Sequence, residues 1–534
     1  MSKQIAESVQ TKLLDAAMQF AQQQQNQPTA QGGGGGVETR YRGASRVLRS
    51  MVSWVPGLRS PEADLPLSER ETLIARSRDA MRNHLLARAA VMRLRTSVVG
   101  TGLVCYAQVD SAALGITPEQ GTEIDTRLNR IWELYALDAR ECDAEATLNH
   151  YQMQALVLVS ALVNGDVFVA TPYVERAGTL FGTRLQVFES DRVCNPNDAQ
   201  DTDRMVDGIE FDQYGAPVRY HVASSHKQGR LFSGLNRKWY PLDAFGKETG
   251  RRRTLHIMNE KERPGQKRGA PFLAPVLEPL QKLERFSSAE LMGAILSAFF
   301  TVFIEKTEAY EESPVPMSMM GSDAHDDGGG DENISLGEGA IVDLGKGEKA
   351  TTVNPARANA QFDPYFNAFV TQIGAALEIP KEELLLHYDS SYSAARAAML
   401  QAWRFYSQRR WWLVSDFCQP TRALVIDEAV ARGMINLPGY NDPAKRRAYL
   451  NALWIGPARG AIDELKEANA AGKRIDIGVS NESMEAAAMS GEPWSDIYAQ
   501  RLIEINRRKA DGIYTVPKNQ VPEATTGVDD NERV

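Results

Sequence analysis

Between Asn259 and Lys306 the chain reads NEKERPGQKRGAPFLAPVLEPLQKLERFSSAELMGAILSAFFTVFIEK, and no other stretch limits the fold as much. Gly265 and Gly269 bracket a basic turn carrying Arg263, Lys267 and Arg268. Pro271, Pro275 and Pro279 then recur every fourth residue, and the run from Leu291 to Ile304 holds no charged side chain. A helix tolerates proline only in its first turn, where the missing N–H has no intrahelical partner anyway. The spacing therefore predicts a helix that starts near Leu280 or is kinked before it. The uncharged run is short of the ~20 residues a bilayer crossing needs, so its apolar surface is assigned to packing and a membrane pore built on it is disfavoured. A nucleotide cradle fails too. The motif GxxxxGK[ST] is required because the lysine and hydroxyl must reach phosphate and Mg²⁺, whereas here the glycines are closer and Ala270-Pro271 follow. The basic turn is expected to be a subunit contact, and the prolines to mark a change of domain.

The chain is long enough, at 534 residues, for two to four cores. Its 43% apolar and 24% charged residues are ordinary for a globular protein. A net charge of −9 leaves no global basic field to hold nucleic acid by counterion release. That argues against a tight DNA binder, though not against a surface past which DNA slides. Cys105, Cys142, Cys194 and Cys418 form no CxxC pair, so neither a disulfide framework nor a zinc site is expected, and a reducing compartment is. The first twenty residues are polar, lack a signal h-region and suit a short amphipathic helix. The tract QQQQNQPTAQGGGGG after them cannot bury a core.

Helical spacing begins at LSERETLIARSRDAMRNHLLARAAVMRLRTSVVGTGL, with Ser68 and Glu71 as a capping box and Gly100 and Gly102 at its end. Arg76, Arg78, Arg82, Arg88, Arg93 and Arg95 on it read as a solvated, salt-bridging face, with a phosphate-contacting stripe as the alternative. A second helix starts at Thr117-Pro118 and a third runs from Thr147 to Asn164, closed by Gly165. The period then becomes two: DVFVATPYV, TRLQVFES, DGIEFDQYG, PVRYHVAS and RRTLHIM read as strands, with a hairpin at Gln213-Tyr214-Gly215. After Lys306 a Gly/Asp-rich loop and two short strands are expected. Phe362, Phe366, Phe369, Val370, Ile373 and Leu377 mark another helix, LLLHYDSSYS a break, and a long helix follows from about Ser393 to Arg432. A smaller helical region then carries Trp454 and Trp494.

Reaction chemistry finds little support. DAHDDGGGDEN places Asp323, Asp327 and Gly328 as in a calcium loop, but Ile334 stands where the bidentate Glu belongs. The seven histidines include no HExxH. Ser224 and Lys227 form an S-x-x-K without companion motifs. Asp389 beside Tyr388 and Tyr392 is explained as a polar loop between helices.

Five stretches, ESDRVCNP (189–196), DGIEFDQYGAPVRYHV (207–222), HIMNEKERPGQKRGAPFLAPVLEPLQKL (256–283), EIPKEELLLHYDSSYSAARAA (378–398) and GAIDELKEANAAGKRIDIGVSNESMEAA (460–487), resemble in this order the portal proteins of tailed bacteriophages, of the lambda-like family. The Gly/Asp insert at 321–333 departs from the pattern. The resemblance implies an α+β, mostly helical fold with wing, stem, clip and crown regions, assembled as a twelve-subunit ring around a central channel. By element order it implies a flexible segment at 1–44, the wing at 45–270, a first stem helix at 271–304 and a clip at 305–358. A second stem helix at 359–380, a tunnel loop at 381–396, a long wing helix at 397–439, and the crown and tail at 440–534 complete the order. It further implies double-stranded DNA passing through without sequence specificity. The implied partners are the terminase large subunit, the major capsid and scaffolding proteins and head-completion or adaptor proteins. No membrane, cofactor, metal or catalytic residue is implied, and the place is the portal vertex of the virion, with the host cytoplasm during assembly. Lys381, His387, Tyr388, Ser390, Ser391, Tyr392 and Arg396 of the tunnel loop become the candidates for contact with the DNA backbone. The competing reading is a metal-dependent nuclease or hydrolase using the acidic loop at 323–332.

Overall fold

The computed structural model describes residues 42–46, 48–227, 237–298, 301–306, 348–353, 361–388, 391–460 and 463–515. The expected N-terminal amphipathic helix and the acidic loop at 323–332 lie outside them. The chain divides into two units, Met1–Arg59, which contributes a short 3-10 turn at Arg42–Ala44, and Ser60–Val534, which holds everything below.

The first long helix is two. Helix α1 (Leu67–Asn83) ends where His84 turns extended (φ −99, ψ 121), and α2 (Leu85–Leu94) starts afresh and passes into a π turn, Arg95–Val99. His84 Nε2 lies 3.0 Å from the Leu280 carbonyl oxygen, which gives the break a tertiary cause that no glycine or proline announces. The capping box at Ser68 and Glu71 does not form. Pro66 holds the cap position, so Ser68 is already inside the helix, and Glu71 pairs with Lys227 at 3.1 Å instead. Where the boxes are real they work in both directions. Thr117 and Gln120 cap α3 (Pro118–Ala136), and Asn149 and Gln152 cap α4 (His150–Asn164), which Gly165 closes at φ 90.

Strand β1 (Val104–Ala107) precedes α3. After α4 the period-two segments form two antiparallel sheets. In the first, β2 (Asp166–Ala170) is central, between β3 (Gln186–Glu189) and β8 (Thr254–Met258), with Phe168 opposite Phe188 and His256. The second runs β4 (Met205–Val206), β5 (Ile209–Phe211), β6 (Pro217–Ala223), β7 (Trp239–Asp243), and the expected hairpin joins β5 to β6.

The prolines then do what the spacing asked. A 3-10 turn at Ala274–Val276 leads into α5 (Leu277–Ala298), with Pro279 in its first turn. The helix is shorter than 271–304 at both ends. Residues 301–304, expected inside it, belong instead to strand β9 (Thr301–Lys306), paired antiparallel with β10 (Glu348–Val353). Thr301, Val302, Phe303 and Ile304 are β-branched or aromatic and favour the strand. Helix α6 (Phe362–Ala376) follows, with Phe286 of α5 stacked on Phe362 at 5.5 Å. Then come α7 (Lys381–Leu385), α8 (Tyr392–Leu413), a second π turn (Val414–Cys418) and α9 (Gln419–Ala431), an unbroken helical run after Ser391 as the sequence indicated. Arg410 of α8 donates to the Ser97 and Val98 carbonyls (3.1 and 3.2 Å), oxygens that the first π turn leaves without helical partners.

Beyond Gly433 lie α10 (Pro443–Tyr449), β11 (Ala452–Ile455), α11 (Glu464–Asp476), α12 (Glu482–Met489) and α13 (Trp494–Ala510). Trp454, expected in a helix, sits on β11 opposite Cys105 of β1. One apolar core joins α2, α4, the first sheet and α5 to α8 as far as Cys418. A second joins β1, α3 and α9. Among the described residues no helix is long and apolar enough to cross a membrane.

Candidate functional site

The basic turn between β8 and α5 belongs to the interior of its own chain, which corrects the expectation of a subunit contact for Arg268. Its side chain is about 4% exposed, and Nε donates to Asp166 Oδ2 at 2.7 Å and Nη2 to Oδ1 at 3.2 Å. The guanidinium also donates to the carbonyls of Val193, Asp207 and Ser190 at 3.0, 2.7 and 2.7 Å, so a rigid fork is used at nearly every prong. Asp207 lies 3.2 Å from Arg268 and 2.6 Å from the buried Arg70, balancing two aspartates against two arginines. Burial alone would lower the Arg268 pKa and raise that of Asp166. Their mutual attraction wins in both, holding the guanidinium above and the carboxyl well below their usual ranges. Lys267 places its ammonium 3.9 Å from the Phe211 ring centroid, and Arg263 pairs with Asp64 at 2.6 Å. Gly269 has a steric reason: a Cβ there would lie 2.0 Å from the Gly165 carbonyl oxygen. No local signal gave this network away, because Asp166 and Arg268 are 102 residues apart.

The segment from 381 to 396 is built differently from a plain loop. Glu378 and Leu386 both take left-handed backbone conformations (φ 56 and 54) around Pro380 and α7. Leu384 is buried, and Tyr406 of α8 donates its hydroxyl to Glu383. Burial raises the pKa of the Glu383 carboxyl, and burial together with that carboxyl raises the Tyr406 phenol. Ser391 caps α8 by accepting from Ala394 N at 3.4 Å. The candidates therefore divide. Lys381 is half-buried on α7; His387 and Tyr388 are exposed on the turn; Ser391 is spent on the cap. Tyr392 lies under the Lys466 ammonium (6.0 Å to the ring centroid), and Arg396 donates to Glu467 at 2.6 Å, so these two face α11. Ser390 lies outside the described residues.

Other groupings are occupied by ordinary structure. Glu189, Asp191 and His226 bring ligand atoms within 4.8 Å of one another. Arg78, however, donates to both Asp191 oxygens (3.1 and 3.0 Å), and the two ring nitrogens of His226 face different carboxylates at 3.3 and 3.2 Å. Arg78 already holds both oxygens of Asp191, and the imidazole is shared between two carboxylates. Arg78 thus leaves the arginine stripe for an internal role, whereas Arg76, Arg82, Arg88 and Arg95 are exposed. Ser224 accepts from Lys238 N (3.1 Å) while Lys227 is held by Glu71 and Asp198 (3.1 and 3.6 Å), so the S-x-x-K residues do not work as a pair. Burial pushes the thiols of Cys105 and Cys142 up to about 12, which makes them packing residues at neutral pH. A groove of about 1190 Å³ between β3 and β7, lined by Phe188, Arg192, Tyr240 and Arg253 among others, contains no histidine or cysteine.

Residues 48–410 match the family described as phage portal protein, lambda family. The chain is 26% identical over 500 residues to the portal protein of Escherichia phage N15, covering 90% of this chain and 91% of that one. It is 26% identical over 492 residues to portal protein B of Escherichia phage lambda, covering 89% and 90%. Among solved structures it is similar to a chain in the virion of a native gene transfer agent particle (TM-score 0.42, 12% identity, 79% of this chain and 94% of that one). It is likewise similar to a chain in the neck of the native particle (TM-score 0.40, 13% identity, 78% and 94%).

Proposed function

The chain belongs to the lambda family of phage portal proteins, and from that premise we propose that it assembles as a ring of twelve copies at one capsid vertex around a channel for double-stranded DNA. The match over residues 48–410 carries the reading. As a phage portal protein it is a component of the virion, and its role is structural. The ring nucleates head assembly with the major capsid and scaffolding proteins, docks the terminase large subunit during packaging, and receives head-completion or adaptor proteins afterwards. The motor's energy comes from the terminase. In this assignment α5 and α6 are the two stem helices, the β9–β10 pair belongs to the clip, the exposed turn at 386–388 lines the channel, and the part beyond residue 440 includes the crown.

The physics of the chain suits a conduit. Every phosphate that a Lys or Arg grips adds affinity, and grip opposes sliding. The net charge is −9, and the turn at 386–388 presents His387 and Tyr388 without an arginine. Contact there is steric, to the backbone and without base readout. Negative-stain images of the purified protein are expected to show rings with a central hole. A chain that stays monomeric under every assembly condition overturns the reading.

A further inference from the structure

The start of α8 is held by a shared carboxylate. Glu467, in the first turn of α11, accepts from Arg396 Nη2 at 2.6 Å on one oxygen and from Arg459 Nη2 at 2.8 Å on the other. Its side chain is 14% exposed against 41% and 36% for the two arginines, so the acid is the shielded member on which both guanidiniums converge. The preceding residue, Lys466, pairs with Asp463 at 2.9 Å and sets its ammonium over the Tyr392 ring. Tyr392 and Arg396 are four apart, on one face of the first two turns of α8. The exposed turn at 386–388 therefore hangs between two unlike anchors. On its N-terminal side, Leu384 is sunk in the core that α8 shares and Glu383 accepts from Tyr406. On its C-terminal side the anchor comes from a helix 71 residues further along the chain.

We infer that Glu467 is a positioning residue, which through Arg396 fixes the first turns of α8 and with them the exposed turn at 386–388. The inference rests on the reading of that segment as channel lining. Without the carboxylate, two guanidiniums remain close together with no anion between them, and their repulsion adds to the lost hydrogen bonds. A carboxylate in the first turn of α11 is also attracted by that helix's own N-terminus, which ties its position to the helix axis. A shift of α11 is thus passed to α8 through charge.

The test is hydrogen exchange on the purified full chain, read at amides 395–400, with DNA retention in assembled heads as a second measurement. Glu467→Gln keeps the shape and removes the charge, and is expected to speed exchange there by about tenfold. Arg396→Gln removes the other end of the contact and is expected to speed exchange by a similar factor, and the double variant Arg396→Gln with Glu467→Gln to exceed the larger single effect by no more than about twofold, because both changes break one interaction. Unchanged exchange in Glu467→Gln, or fully multiplying effects in the double variant, overturns the positioning role whatever the DNA does. Faster exchange with loss of packaged DNA supports both the role and its link to the channel. Faster exchange with full retention overturns the channel reading of 386–388 and leaves the positioning role standing.

Discussion

His150 shows how far a single side chain can be pinned by its neighbours. Gln154 accepts from Leu103 N at 2.6 Å through its carbonyl oxygen, so its amide nitrogen, 3.1 Å from His150 Nδ1, is the donor there. Nδ1 must then accept, the ring proton sits on Nε2, and the ring is stacked on Phe417 at 5.2 Å. Burial pushes its pKa down to about 3. Above pH ~6.5 the imidazole is neutral folded and unfolded, and it adds no pH dependence. Below that, only the unfolded chain takes the proton, so stability falls with pH until the folded pKa is reached. By pH 5 this one residue is expected to cost about 2 kcal/mol. Unfolding free energies from urea titrations at pH 7 and pH 5 should draw closer by that amount in His150→Gln; an unaltered pH dependence would refute the assignment. The residue type was plain in the sequence, but its tautomer was not, since Leu103 and Phe417 reach it only through the fold.

At the scale of elements, the sequence was readable wherever the signal was local. The helix start at Thr117-Pro118, the glycine after Asn164, the hairpin at Tyr214 and the helix at Phe362 all rest on residues within a few positions of one another. Where it misled, a distant group had taken over. Lys227 took Glu71 from the expected box at Ser68, His84 broke α1 from α2 beside the Leu280 carbonyl, and Trp454 found its strand partner at Cys105. The paired glycines of the basic turn allow a graded test. Gly269→Ala drives a methyl into the Gly165 backbone, which cannot swing aside, and is expected to lower stability by about 2–4 kcal/mol. Gly265 has φ 86 but its nearest neighbour would be a Glu62 oxygen at 3.5 Å, so Gly265→Ala should cost only about 1 kcal/mol of backbone strain. Equal losses in denaturant midpoints would mean that the close approach at Gly269 is not what demands glycine.

For the whole molecule, the family resemblance carried the function and the residues alone carried only exclusions: no nucleotide loop, no HExxH, no span. The local structure around 381–396 was half legible. A break between two helices announced the exposed turn, yet Tyr392 and Arg396 could not be assigned to α11 from spacing. Replacing Lys381 and Tyr388 together by Ala is expected to leave ring assembly intact, because neither lies in the buried core, while packaging or retention of DNA falls. Heads that fill and hold their genome normally with this double variant would sink the channel role of the turn.

The π turn at Val414–Cys418 changes the phase of the helix that contains it. A π turn carries one residue more than an α turn, so it rotates every later side chain by roughly 100° about the axis while barely lengthening the rod. Upstream, Phe405, Tyr406 and Leu413 point into one core; downstream, Val425, Ile426 and Ala429 point into the other. A straight rod of constant phase would keep its apolar meridian on one side and leave the second core unfilled. The bulge is an azimuthal offset, a crank in a shaft, that lets one uninterrupted helix serve two interiors. Deleting any single residue from it would cancel the offset, leave composition and helix propensity almost unchanged, and turn the far half of the shaft to face the wrong way.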